Sequence, residues 1–139
     1  MSAKDLYHDH VKNALVKDGW TITHDPLRLE WRAKKKILID LGGEKLLTAE
    51  KDTHKIAVEV KSFVGISELT DMYNAIGQFI LYRMTLAVRE PDRELFLAIR
   101  KTVYEQIFTD PIVESLIQTE RIKIIVFDPE TQEIVKWLS

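Results

Sequence analysis

The chain has 139 residues, of which 45% are apolar and 30% charged, and its formal net charge is −2. This composition fits one globular domain with a hydrophobic core, so we predict a single domain over residues 1–139. The net charge counts against strong non-specific binding of nucleic acid, and the absence of cysteine excludes disulfides and thiolate metal sites. We expect a cytoplasmic location, because no apolar run is long enough to cross a membrane and no signal-peptide pattern is present.

The first part of the chain predicts a helix followed by short strands. Apolar residues recur at three- and four-residue spacing over 3–18, and Gly19 is predicted to end this helix. Short strands are predicted over 20–23 and 28–32. The basic stretch 32–36 is predicted to be a solvated turn, with phosphate contact as the alternative.

His10 lies inside the apolar stripe of the first helix, whereas His8 and Asp9 lie outside it. A histidine in such a position is usually a hydrogen-bonded core residue. The alternative is that this helix leans its His10 face over a functional site.

Two apolar runs carry acids. The run 37–41 is apolar except for Asp40, and a carboxylate there is costly to bury without a cation or several hydrogen-bond donors. The run 56–62 alternates as a strand does, with Ile56, Val58 and Val60 on one face and Ala57, Glu59 and Lys61 on the other. Between them, residues 44–52 form a strand or an irregular segment, and Glu44 and Glu50 are either third ligands or solvated strand residues.

A long helix is predicted from the N-cap Ser67 to about Ala87. We predict that its apolar stripe faces the core. The stripe consists of Leu69, Met72, Tyr73, Ile76, Ile80, Met84 and Ala87. Gln78 and Tyr82 lie four residues apart on a different face, where they are surface residues or line a pocket beside the strand that carries Glu59.

The second half of the chain predicts a buried central strand and a terminal hairpin. The apolar run 95–99 is the central strand, and two short helices follow over 102–108 and 111–120. The runs 122–127 and 134–138 flank a turn and therefore predict the hairpin. The element order as a whole predicts an α/β domain with a mixed sheet flanked by helices.

Asp40 and Glu59 are the types of residue that bind Mg²⁺ or Mn²⁺ when they lie at adjacent strand ends. The carbonyl of Val60 is a further oxygen ligand for the same ion. Such an ion polarises a phosphate and lowers the pKa of a bound water, while Lys61 orients that water or offsets the charge that develops on phosphorus. The alternative is that Glu59 and Lys61 form an ordinary surface ion pair, worth under about 1 kcal/mol.

Asp40 followed by Glu59-Val60-Lys61 resembles the signature of the PD-(D/E)xK nuclease superfamily. Gln78-x-x-x-Tyr82 resembles the Gln-x-x-x-Tyr element of its RecB-like branch, although Ile39 stands where the superfamily signature has proline. The resemblance implies a restriction-endonuclease-like fold, with Asp40, Glu59 and Lys61 catalytic, Asp40, Glu59 and Val60 holding Mg²⁺, and DNA as the substrate.

The chain also resembles the XisH family over nearly its whole length. Three segments carry this likeness, residues 17–27, 47–51 and 56–63. The resemblance implies a controlling factor for excision of the fdxN DNA element in heterocyst-forming cyanobacteria. It further implies a site-specific recombinase and an XisI-like companion protein as partners. Nucleases of the PD-(D/E)xK type are often homodimers, which makes a homodimer a further expectation.

Three hypotheses follow for this chain. It is a Mg²⁺-dependent endonuclease, or a non-catalytic control protein that keeps the nuclease-like fold, or a plain α/β domain whose Glu59 and Lys61 pair at the surface. The first requires Asp40 and Glu59 to lie close enough to share one ion.

Overall fold

The computed structural model describes residues 3–32, 35–37 and 46–139. Asp40 and Glu44, which the sequence analysis singled out, lie outside the described residues. Within them, no helix combines the length and the apolar character that crossing a membrane requires.

The described chain forms four α-helices and one π-helical turn. The helix α1 spans Ala3–Lys17 and is followed by Gly19, whose φ of +93° is a left-handed conformation that glycine adopts without strain. The helix α2 spans Glu68–Arg89, and the Ser67 side chain caps it as predicted, accepting a hydrogen bond from the Thr70 amide. The remaining helical elements are α3 (Lys101–Val103), the π-helical turn Tyr104–Phe108 and α4 (Pro111–Thr119).

Eight strands are found among the described residues. They are β1 (Thr21–His24), β2 (Leu29–Arg32), β3 (Lys35–Ile37), β4 (Leu46–Lys51), β5 (His54–Val60), β6 (Arg93–Arg100), β7 (Ile124–Asp128) and β8 (Glu133–Leu138). Six of them form a sheet in the order β1-β4-β5-β6-β7-β8, while β2 pairs only with β3. The strands β5, β6 and β7 are parallel, whereas β4 and β8 are antiparallel to their neighbours. The predicted mixed α/β sheet is therefore confirmed, with β6 near its centre.

The alternation along β5 and β6 sends side chains into two separate cores. Ile56, Val58 and Val60 pack with Val11 and Leu15 of α1 on one face of the sheet. On the opposite face, Ala57 of β5 and alternate residues of β6 pack against α2 and the elements that follow β6. Helices thus cover both faces of the sheet, as the parallel arrangement of its central strands requires.

The predicted core stripe of α2 is wrong for several residues. The face that packs on the sheet consists of Met72, Ala75, Phe79, Tyr82, Thr85 and Leu86. Leu69, Tyr73 and Met84, which were assigned to the core, are instead 59%, 65% and 65% exposed. Both faces of α2 are apolar at helical spacing, so periodicity alone could not identify the face that is buried.

Candidate functional site

The site begins at the carboxyl end of β5, where the apolar alternation of the strand gives way to charge. Glu59 is paired with Leu46 of β4 on one side and with Leu97 of β6 on the other. The amide of Lys61, just beyond the strand, donates to the carbonyl of Ala98 at 3.1 Å and extends the pairing with β6. The backbone of this segment is therefore fixed on both sides of Glu59 by the sheet.

Glu59 and Lys61 are buried together on the face of the sheet that α2 covers. Only 2% of Glu59 and 7% of Lys61 is exposed, and Lys61 Nζ lies 3.5 Å from Glu59 Oε1. The hypothesis of a solvated surface pair is therefore wrong. Removing both charges from water costs several kcal/mol per ion, and their attraction offsets this cost only in part. A plain strand would carry apolar residues at these two positions.

Gln78 of α2 reaches this pair. Its side-chain oxygen accepts a hydrogen bond from the Lys61 ammonium, and the contact fixes the amine beside Glu59. Tyr82, one turn further along α2, is 2% exposed and belongs to the core between α2 and the sheet. The structure therefore places Gln78 in direct contact with the candidate site, while Tyr82 lies in the packed layer on the same face of the sheet.

Arg100 is a second cation at this end of the sheet, and the sequence analysis did not identify it. It ends β6, its guanidinium donates to the carbonyl of Ser62, and it lies 4.8 Å from the centre of the Tyr7 ring. Ligands of open α/β sheets bind at the carboxyl ends of the strands. In the sequence, Arg100 comes directly after the apolar run 95–99. That position at the end of the central strand could have identified it as a candidate.

His10 is separated from the Glu59–Lys61 pair by the sheet. It lies on α1, half-buried beside Tyr7, and no described residue hydrogen-bonds its buried Nδ1 atom. Because α1 packs on the face that carries Val58, this helix does not lean over the Glu59 face. The alternative that placed His10 at the candidate site is not supported.

His8 forms a polar cluster that the sequence analysis missed. It is 9% exposed, and its Nε2 lies 2.7 Å from Oδ1 of Asp25, whose Oδ2 is 2.6 Å from Lys12 Nζ. Burial raises the pKa of Asp25, but hydrogen bonds from Lys12 and His8 outweigh this effect and leave the pKa below its ordinary value. The cluster joins α1 to the segment after β1.

The described residues include only some of the oxygen ligands that a divalent cation would require. They contain no group of three or more His, Asp or Glu side chains placed to hold a metal. The Glu59 carboxylate and the Val60 carbonyl are hard oxygen donors of the kind that Mg²⁺ prefers. A site at this point therefore depends on Asp40, which lies outside the described residues, and that role of Asp40 stays a prediction.

A cavity of about 600 Å³ lies away from this site. It is bounded by the π-helical turn, by α4, and by the residues where β7 begins and β8 ends. Because β7 is parallel to β5, the cavity opens at the opposite end of the sheet from Lys61. The candidate chemistry is thus not located in this cavity.

Comparisons with known proteins agree with one another. The model of the XisH family, described as XisH protein, matches residues 1–135. A crystal structure of an XisH family protein from Nostoc punctiforme PCC 73102 is 38% identical, with a TM-score of 0.89 over 97% of this chain and 100% of that chain. A crystal structure of an fdxN element excision controlling factor protein from Anabaena variabilis is 40% identical, with a TM-score of 0.88 over 97% of this chain and 99% of that chain. A search of curated proteins finds no match.

Proposed function

Because the chain belongs to the XisH family, we propose that it controls excision of a DNA element, the role named for its relative from Anabaena variabilis. We propose further that it acts as a Mg²⁺-dependent endonuclease of the PD-(D/E)xK type. Asp40, Glu59 and Lys61 are the catalytic residues of this proposal, and the nuclease-like assignment of the fold belongs to it as well.

The observation that carries the proposal is the buried contact between Glu59 and Lys61, with Gln78 holding the amine. A carboxylate and an ammonium placed between apolar strands destabilise the fold relative to apolar residues of similar size. A buried charged pair at the carboxyl end of a central strand is expected where it performs chemistry.

Each residue has a defined task in this proposal. Asp40, Glu59 and the Val60 carbonyl would hold Mg²⁺, which supplies polarisation of the scissile phosphate and a water of lowered pKa. Lys61 lies 3.5 Å from Glu59, where its ammonium orients the attacking water and offsets negative charge in the transition state. Gln78 limits the orientations open to that ammonium, which reduces the entropy lost on reaching the reactive geometry.

The partners in this proposal are DNA, a site-specific recombinase and an XisI-like companion protein. A second candidate function is a non-catalytic regulator that acts through contacts with these proteins. The exposed apolar side chains on the outer face of α2 favour it, since such patches mark protein interaction sites. The two candidates differ in whether the chain itself breaks a phosphodiester bond.

The test is Mg²⁺-dependent cleavage of plasmid and branched DNA by the purified protein. Asp40→Ala and Glu59→Ala are expected to lower the cleavage rate by roughly 100-fold or more, because each removes a ligand of the ion that stabilises the transition state. Glu94→Ala is the matched control, since Glu94 is an exposed acid near the start of β6, away from the site.

Equal cleavage by Glu59→Ala and the unsubstituted protein would contradict the assignment of the site. If no DNA form is cleaved while a partner protein is retained in pull-down, the regulator replaces the nuclease.

A further inference from the structure

The strands β5 and β6 separate at their carboxyl ends, directly beside the candidate site. Their pairing runs in register to Val60 and Ala98, and the last backbone bond that the described chain shows between them joins the Lys61 amide to the Ala98 carbonyl. The strand β6 continues to Arg100, but there it pairs with β7. From Ser62 onwards, the described chain that follows Lys61 is therefore no longer held by the backbone of β6.

The side chain of Arg100 connects the two strands where their backbones separate. Its guanidinium donates to the carbonyl of Ser62, while its own backbone is fixed by the sheet. Ser62 is 3% exposed and Arg100 is half-buried, so the protein partly shields this bond from water, which strengthens it. A charged donor also forms a stronger bond to a carbonyl than a neutral donor does. Arg100 thus fixes the backbone one residue beyond Lys61.

Tyr7 of α1 holds the guanidinium in this position. The central carbon of the Arg100 guanidinium lies 4.8 Å from the centre of the Tyr7 ring. A planar guanidinium stacks on an aromatic ring and donates hydrogen bonds in a fixed geometry at the same time, whereas the ammonium of lysine is a compact point charge. Arg100 is two residues after Ala98, which belongs to the core on the α1 face, so the alternation of the strand directs it towards α1. The helix α1 therefore contributes to the geometry at the end of β5, although it covers the face opposite Glu59.

The amine of Lys61 is held from the α2 face of the sheet. Its Nζ donates to Gln78 of α2 and lies 3.5 Å from Glu59 Oε1. Gln78 fixes the end of this side chain, whereas Arg100 fixes the backbone from which the side chain extends. Both ends have to be fixed for the ammonium to keep one position, because the long stem of lysine is flexible.

We propose that Arg100 is a positioning residue for Lys61, and that it acts through the carbonyl of Ser62. The inference rests on the proposed function in one respect, since it takes Lys61 as the group that orients the attacking water. A misplacement of about 1 Å is enough to slow a reaction by roughly 100-fold. Loss of the restraint at Ser62 is therefore expected to impair the chemistry even though Arg100 itself lies outside the set of catalytic residues.

Arg83 provides a matched control for Arg100. Its guanidinium also donates to backbone carbonyls, those of Glu120 and Arg121, and it lies 5.5 Å from the centre of the Phe79 ring. The two arginines thus make the same kinds of contact, but Arg83 joins α2 to the segment after α4 and not to the chain beside Lys61. Replacing either arginine by methionine keeps an apolar stem and removes the guanidinium.

The first experiment measures the Lys61 ammonium by nitrogen-15 NMR and requires no cleavage of DNA. The signal is assigned by its loss in Lys61→Met. In the unsubstituted protein the ammonium protons should exchange slowly with water, because the amine is buried and bonded to Gln78. Arg100→Met is expected to raise the exchange rate roughly tenfold, the factor that corresponds to loss of one hydrogen bond from a charged donor. Arg83→Met is expected to leave the exchange rate unchanged.

Conservative substitutions separate positioning from a general loss of stability. Arg100→Lys keeps a cation that reaches the Ser62 carbonyl and should restore part of the slow exchange. Tyr7→Phe keeps the ring and should leave the exchange rate unchanged, whereas Tyr7→Leu should raise it by a smaller factor than Arg100→Met. Urea denaturation of each variant measures the loss of stability, for which Arg83→Met is the reference. If Arg100→Met does not fold, Arg100→Lys and Tyr7→Leu decide the outcome.

The second experiment compares kcat and KM for Mg²⁺-dependent cleavage of plasmid DNA. Arg100→Met is expected to lower kcat by roughly 10- to 100-fold and to leave KM nearly unchanged, because DNA still binds while the Lys61 amine is misplaced. A raised KM with unchanged kcat would mean that Arg100 binds the substrate directly, and this result overturns the positioning role.

Unchanged ammonium exchange in Arg100→Met, or an equal change in Arg83→Met, overturns the inference. A Lys61 signal that already exchanges rapidly in the unsubstituted protein overturns it as well, because the amine then has no fixed position. Failure of the proposed function gives a different result, in which no DNA is cleaved while the Lys61 signal still depends on Arg100. Cleavage that requires Glu59 but is unaffected by Arg100→Met keeps the nuclease and removes the positioning role.

Discussion

The two faces of β5 differ at the carboxyl end of the strand. On the α1 face the alternation stays apolar to the end, with Val58 and Val60 buried among aliphatic and aromatic side chains. On the α2 face the same strand changes from Ala57 to the charged residues Glu59 and Lys61, which are equally buried. In β5, buried charge therefore lies on one face only, and that face is the one to which α2 contributes Gln78.

This difference shows which residues at the end of β5 the fold requires and which residues only the candidate site requires. The α1 face shows that an apolar strand end packs well in this sheet, so charge on the α2 face is not a requirement of the fold. Buried charged residues that destabilise a fold are expected to serve a function. The predictions below test this contrast in order of decreasing effect.

The largest loss of stability is expected when a charged residue replaces an apolar residue on the α1 face. Val58 is 0% exposed and packs among apolar side chains on the α1 face. Val58→Asp is therefore expected to lower the free energy of unfolding by about 4 kcal/mol or more, measured by urea denaturation. Val58→Ile, which keeps the apolar character, is the control. A stable Val58→Asp protein would show that the two faces are not distinct.

The next effect is expected from Lys61→Met, which removes the cation 3.5 Å from Glu59. Leaving one partner of a buried ion pair without the other costs about 3 kcal/mol. Adding Glu59→Gln to Lys61→Met should recover part of this loss, and a double-mutant cycle in urea measures the coupling. Additive effects of the two substitutions would show that the pair does not interact as the geometry indicates.

A smaller loss of stability is expected from substitution of Asp25, which lies on neither face of β5. Its pKa is below the ordinary 3.8 in the folded chain, so the charged form stabilises the fold above about pH 4. This contribution is lost as the pH falls through the lowered value. Asp25→Asn is expected to destabilise by about 1 kcal/mol at neutral pH, since water screens this part-exposed pair. Thermal melting at pH 7 and pH 3 should show the difference shrinking in acid.

The smallest effect is expected at the exposed pair formed by Glu94 and Lys123, which are 2.8 Å apart. Glu94→Gln should change stability by less than about 0.5 kcal/mol, because solvent-exposed pairs contribute little. A loss comparable with that of Lys61→Met would contradict the claim that burial distinguishes the Glu59 pair.

Much of the fold was predictable because it depends on local patterns. The two-residue alternation of 56–62 predicted which residues of β5 share a face, and the cap at Ser67 predicted the start of α2. The short helix predicted over 111–120 begins at Pro111, where the Asp110 side chain accepts from the Ile112 amide. These signals depend only on residues that are close together in the sequence.

The wrong and missed predictions concern contacts between segments that are far apart in the sequence. The exposure of Tyr73 and the burial of His8 depend on which side of a helix meets the sheet or Asp25, and sequence spacing does not carry that information. Arg100 was missed because its partner, the Ser62 carbonyl, lies in the segment that follows β5 and is 38 residues away in the sequence. At the candidate site, the burial of Glu59 and Lys61 emerged only from the structure, and the role of Asp40 stays a prediction.

The central claim is that Glu59 belongs to a site that binds a hard divalent cation, and Mn²⁺ binding tests it most directly. Calorimetric titration of the unsubstituted protein should show one Mn²⁺ per chain. Glu59→Gln keeps the shape of the side chain but should weaken binding roughly 10- to 100-fold, while Glu94→Gln should bind normally. Equal Mn²⁺ affinity in the unsubstituted protein and Glu59→Gln, or no binding by either, would contradict the account.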